Sequence, residues 1–157
     1  MLRTQITDAM KDAMRAKDER TLATTRMIIS RMKDLDIAAR PKQKESGGNA
    51  DGITDDEILS MLQGMIKQRR ESIALYEKGN RADLVKQESE EITVIERFLP
   101  KQMDEAAVKE AIDKIIASTG AKDVKDMGKV MAEMKKTYTG QMDFSQAGPL
   151  VKARLAG

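Results

Sequence analysis

Apolar residues recur every three or four positions from Ile58 to Leu99, and only Gly79-Asn80 and Pro100 interrupt them. That spacing puts one face of a helix into a core. Gly supplies the left-handed residue that ends a helix, and Pro cannot continue one. The stretch therefore predicts two consecutive helices. The first opens at Thr54-Asp55-Asp56-Glu57, a capping box with Thr54 at the cap and Glu57 three residues on. It carries Ile58, Leu62, Met65, Ile66, Arg69, Ile73 and Tyr76 on one side. The second starts at Asn80, whose side chain can accept a backbone N–H, and carries Leu84, Val85, Glu88, Ile92, Ile95, Phe98 and Leu99. Helices joined by so short a connection most simply pack antiparallel.

Two more helices precede this pair. Ile6, Met10 and Met14 mark one face of the first, which Lys17-Asp18-Glu19 interrupts. Leu22, Arg26, Ile29, Met32 and Lys33, with Met27, Ile28 and Leu35 alongside, form the second, running toward Arg40-Pro41. Residues 42–52 contain no apolar side chain except Ala50 and read as a mobile loop. Its glycines do not lead into Gly-Lys-Ser/Thr, so it is no phosphate-binding loop.

Beyond Pro100 the pattern resumes in shorter pieces. Asp104 caps a helix holding Val108, Ala111, Ile112 and Ile115 that ends at Gly120. Asp123 or Asp126 opens one with Met127, Val130, Met131 and Met134. Asp143 caps a last one with Phe144, Ala147, Leu150, Val151 and Leu155, which Gly148-Pro149 delays or bends. The expected fold is all-α: a bundle of about four helices over residues 1–99, then a small three-helix domain over residues 100–157.

Composition narrows the chemistry. The chain has no Cys and no His, which removes disulfides, thiolate nucleophiles, imidazole bases and Cys/His zinc sites. The aromatics are Tyr76, Phe98, Tyr138 and Phe144, too few for a platform that stacks single-stranded bases. No apolar run reaches the ~20 residues that cross a bilayer. The N-terminus lacks a signal peptide's apolar stretch and carries an early Asp8, so the expected setting is cytoplasmic, without membrane contact. Net charge is +2, but residues 1–44 hold 11 basic and 6 acidic groups, whereas residues 45–99 hold 7 and 12. Residues 100–157 hold 10 and 8. A strong nucleic-acid binder carries a larger basic excess.

Each candidate site has a plain counterpart. Lys67, Arg69 and Arg70 can hold phosphates, but Glu88 and Glu91 stand on faces that meet them, so internal ion pairs are the expectation. Arg26, among apolar neighbours, is read as an internal ion pair as well. Asp51, Asp55, Asp56 and Glu57 miss the calcium-loop spacing, and three of them sit where a helix N-terminus welcomes negative charge. Glu88, Glu90 and Glu91 lack the Glu-x-x-His of a di-iron site. Met127, Met131 and Met134 are read as core filler where aromatics are scarce. Gly128 within a helical pattern costs about 1 kcal/mol against Ala, which signals close approach by a neighbouring helix or by a partner. Lys129, Lys135 and Lys136 surround it, and both readings stay open.

Several stretches together resemble the YqeY family, relatives of the C-terminal part of GatB, a subunit of the glutamine-dependent aminoacyl-tRNA amidotransferase. They are Arg26-Met27-Ile28, Lys67 to Ser72, Tyr76 to Leu84, Glu88, Glu91, Phe98 to Gln102 and Asp126 to Met131. The resemblance implies two helical parts and a tRNA contact made by the tail, whose matching motif holds Gly128 and Lys129; Lys135 and Lys136, about two turns farther along the same helix, would add charge to it. The GatB tail has Lys-Gly-x-Ala before its last helix; here Thr139-Gly140-Gln141-Met142 lacks both that lysine and that alanine. The family label is carbon–nitrogen ligase with glutamine as amide donor, yet no segment resembles the ATP-binding catalytic domain or the Ser/Ser/Lys amidase. The expectation is a tRNA-binding or tRNA-associated accessory protein with no catalytic residues, cofactor or metal of its own. The partners it implies are tRNA, amidotransferase subunits or another protein. The alternatives are a component of the ligase activity and a helical protein-interaction module.

Overall fold

The computed structural model describes residues 1–45 and 52–157. Every regular element among them is helical: α1 (Leu2–Ala16), α2 (Glu19–Glu45), α3 (Asp55–Lys78), α4 (Ala82–Glu96), α5 (Glu105–Thr119), α6 (Met127–Tyr138) and α7 (Phe144–Ala156), with a 3-10 turn at Val124–Asp126. The chain separates into two compact units, Met1–Leu99 and Pro100–Gly157.

In the first unit, α3 packs along α4, and α1 along α2. The capping box at Thr54 forms as its residue types require: Glu57 N donates to Thr54 Oγ1 (3.2 Å) and Thr54 N to Glu57 Oε2 (2.7 Å). Asp55 accepts from the Leu2 backbone N–H (3.3 Å), so one carboxylate also serves the start of α1. Leu2, Ile6, Ile28, Met32, Ile58, Leu62 and Ile95 are among the buried core. The buried face of α1 passes through Leu2, Ile6 and Ala13, and Met14 is 49% exposed. A strict four-residue spacing overshoots the helical repeat, so Met14 lies about 80° from Ile6 while Ala13 lies about 20° away.

On α2 the inward face is Thr21, Thr24, Thr25, Ile28 and Met32, with Leu22 and Ile29 only half-buried. Arg26 is exposed and is not the internal ion pair its apolar neighbours suggested. The threonines go inside because their own helix satisfies them. Thr24 Oγ1 donates to the Arg20 carbonyl and Thr25 Oγ1 to that of Thr21, each at 2.8 Å, which leaves the methyls to pack. The helix also runs through Pro41 to Glu45, beyond its expected end. Proline's fixed φ is helical, and Lys42, Gln43, Lys44 and Glu45 are good helix formers. The rest of the expected loop, residues 46–51 with Asp51, lies outside the described residues.

The break between α3 and α4 is built differently from its expectation. Gly79 has φ −87°, and Asn80 is the left-handed residue, with φ 55°. The Arg81 N–H then reaches back to the Tyr76 carbonyl (2.9 Å), and Arg81 rather than Asn80 stands at the N-cap of α4. Asn tolerates this conformation where most residues do not. Asn80→Val is therefore expected to cost about 1–2 kcal/mol, whereas Gly79→Ala, whose added Cβ meets only ordinary contacts at 3.6 Å and beyond, is neutral or mildly stabilising. Denaturant midpoints of the two variants check the pair.

In the second unit, Asp104 caps α5 by accepting from Ala107 N (2.7 Å), and Gly120 ends it with φ 67°. Both aspartates proposed to open α6 act together. Asp123 accepts from Lys125 N, and Asp126 accepts from Lys122 N (2.9 Å), which holds the Asp126 carboxyl below its ordinary range. α7 begins at Phe144 and keeps Pro149 inside it. Val108, Ile112, Ile115, Val130, Met134, Met142 and Val151 form the core, with Met127 and Met131 packed against it.

Candidate nucleic-acid interface

The residues singled out around Gly128 all fall on α6, which the core side chains Val130 and Met134 anchor from the opposite side. Gly128 is exposed, and a Cβ built on it meets nothing within 4 Å. The reading in which Gly128 lets the three helices pack tightly is thereby removed. Positions 128, 132, 135 and 136 share one helical face, and Gly128, Ala132, Lys135 and Lys136 are all exposed. Ala132 went unremarked in the sequence, although its spacing of four from Gly128 was there to be seen.

The lysines are not equivalent. Lys129 Nζ donates to the Thr119 carbonyl (3.0 Å), so it serves the C-terminal end of α5, where a cation is favourable. Lys135 and Lys136 lie in the last turn of α6 and make no ion pair among the described residues. The face thus offers two small residues that expose backbone, followed by two solvated positive charges. The Thr139-Gly140-Gln141-Met142 segment beyond it is committed to the fold. Gln102 Nε2 donates to the Gly140 carbonyl (2.6 Å), Met103 N donates to that of Gln141 (2.9 Å), and Met142 is buried.

Two members of the other basic cluster, Arg69 and Arg70, are paired within the first unit. Arg69 Nε donates to Glu91 Oε2 at 2.9 Å, Nη1 donates to the Met65 carbonyl at 3.1 Å, and Arg70 pairs with Glu96 at 3.6 Å. Arg20, which the sequence did not single out, adds contacts to Glu90 (3.1 Å) and Glu91 (3.7 Å). A second pairing missed in the sequence is Arg3–Asp36 at 2.9 Å. Asp36 there also accepts the Ile53 N–H (2.8 Å), and Arg3 holds the Asp36 carboxyl below the usual range. Asp55, Asp56 and Glu57 occupy the first turn of α3. Among the described residues no three carboxylates gather closely enough to hold a metal ion, and no helix is long and apolar enough to cross a membrane.

The family model described as Yqey-like protein matches residues 3–155. Among curated proteins, the chain is 36% identical over 90 residues to the Altered inheritance of mitochondria protein 41, mitochondrial, of Lachancea thermotolerans, covering 57% of this chain and 43% of that protein. The Saccharomyces cerevisiae protein of the same name is 28% identical over 131 residues, 80% of this chain and 65% of its own. An uncharacterized protein of Schizosaccharomyces pombe is 24% identical over 100 residues, 64% of this chain and 73% of its own. The chain thus spans less than half the length of the first of these relatives.

Proposed function

Because the chain belongs to the YqeY-like family, we propose that it is an accessory protein that binds tRNA through the exposed face of α6 and does no catalysis itself. The observation that carries this is the open space over Gly128, on the same face as two solvated lysines. Gly128 stands in the first turn of α6 and no element of its own unit occupies the space over it, so that space is open to something outside the unit. A phosphate backbone fits: it approaches a bare helix surface closely and takes Lys135 and Lys136 as counterions. Four aromatics leave folded RNA, read by shape and phosphates, as the substrate rather than stacked single strands. The cytoplasmic placement belongs to the same proposal and stands beside relatives whose names place them in mitochondria.

The test is tRNA binding by the purified chain across a salt series with duplex DNA as competitor. Lys135→Ala with Lys136→Ala is expected to lower the slope of log K against log salt by about 0.9 for each lysine. Gly128→Leu separates binding from folding. It should leave the stability of the unit essentially unchanged, since nothing stands within 4 Å of a Cβ there, while abolishing binding, because its side chain fills the space the backbone of the RNA needs. Lys129→Ala should lose stability as well as affinity, since its ammonium also serves α5. Undiminished tRNA binding by Gly128→Leu would remove this face from consideration. Amide formation from glutamine or ammonia with ATP by the purified chain alone would overturn the non-catalytic part.

A further inference from the structure

On the first unit, Gln68, Arg69, Glu71, Ser72 and Leu75 of α3 and Glu88 of α4 line one open cleft of about 410 Å³. Its charge is out of balance. The one cation in the wall, Arg69, is committed behind the cleft: its Nε is 2.9 Å from Glu91 and only 4.0 Å from Glu88. Arg20, on α2, serves Glu90 and Glu91. Glu88 is mostly buried, with 18% of its side chain exposed, yet that 4.0 Å approach is its only ion pair among the described residues. Burial first, and the neighbouring Glu91 second, hold its carboxyl above the ordinary range against the pull of Arg69. Gln68, Glu71 and Ser72 have no side-chain hydrogen bond among the described residues, and Leu75 is 67% exposed beside them.

We propose that this cleft binds a primary ammonium group carried on a hydrocarbon chain, with Glu88 as its counterion. An ammonium has three N–H donors and no acceptor. Glu88, the Gln68 amide oxygen and the Ser72 hydroxyl supply three acceptors, and Glu71 adds a second negative charge at the rim. The exposed face of Leu75 suits the methylene chain, as apolar stems of lysine side chains lie along apolar surface while the charged head meets its partner. Free polyamines and lysine side chains of a protein share this chemistry. The site goes beyond the RNA-binding face and rests on different residues.

The full chain is titrated with spermidine and, separately, with Nα-acetyl-lysine methylamide, following the Glu88 carboxyl carbon by NMR and the heat by calorimetry. Saturable binding with a shift at Glu88 is expected for at least one ligand. Spermidine alone marks a free polyamine as the source, and the lysine amide alone marks a protein side chain. Glu88→Gln, which removes the charge and keeps the shape, should weaken binding about tenfold or more. Glu71→Gln should weaken it less, and reads out the same cleft if the first variant is unstable. Glu110→Gln, on the exposed side of α5, should leave binding unchanged. Absence of saturable binding by both ligands, or equal losses in Glu88→Gln and Glu110→Gln, overturns the site.

Discussion

Glu91→Ala is expected to remove about 3–5 kcal/mol from the first unit, the loss typical of leaving a buried charge without its partner. Glu91 is 7% exposed and Arg69 12%, and their 2.9 Å contact is the closest in the network that ties α2, α3 and α4 together. Truncating Glu91 leaves the Arg69 guanidinium with the Met65 carbonyl, the Met27 sulfur at 3.8 Å and the distant Glu88. The pair is not thereby a net source of stability, since taking two charges out of water cancels much of their attraction. Replacing both partners, Arg69→Met with Glu91→Leu, should accordingly cost far less than Glu91→Ala. Glu88 acts in the opposite direction. Its carboxyl is held above its unfolded value, so its favourable contribution is complete below that value and is lost as the pH rises through the folded one. Glu88→Gln should therefore stabilise the unit near neutral pH, where Glu91→Ala destabilises it. Denaturant unfolding at two pH values measures all of these; a loss below about 1 kcal/mol for Glu91→Ala would mean the pair behaves as a surface bridge.

Helix existence was legible because the signals are local. The capping residues Thr54, Asp104, Asp123 and Asp143 each accept the backbone N–H their types imply. What was not legible depended on facts outside a three-to-four spacing. Thr24 and Thr25 are fully buried because each hydroxyl finds a carbonyl one turn back, which makes a polar residue type behave as an apolar one. Arg20 makes the internal ion pairs expected of Arg26 for the same reason: once the threonine face turns inward, Arg26 points out and Arg20 reaches Glu90 and Glu91. Asn80 takes the left-handed position that Gly79 was expected to hold, and spacing alone does not separate two adjacent tolerant residues. At Gly128 the helical pattern suggested an interior glycine, whereas the structure places it in the first turn of α6 with no neighbouring helix over it.

Met134→Ala is expected to cost about 2–5 kcal/mol, and its consequence depends on where the chain divides. Met134 is fully buried at the centre of the α5–α7 core, among Val108, Ile112, Val130 and Val151. A unit the size of Pro100–Gly157 has a total stability of about 3–9 kcal/mol, because so short a chain buries a smaller fraction of its surface. One truncation therefore brings the unit close to unfolding at ordinary temperature. If Leu99–Pro100 is a thermodynamic boundary, amide hydrogens of α5, α6 and α7 lose exchange protection in the variant while those of α1 to α4 keep theirs. Loss of protection throughout both units would show a single cooperative structure instead. The same variant bears on function, because Gly128, Lys135 and Lys136 are aligned only while α6 is helical. RNA binding should fall with the protection of α5–α7, whereas Glu91→Ala, which acts on the other unit, should reduce stability there and leave RNA affinity intact.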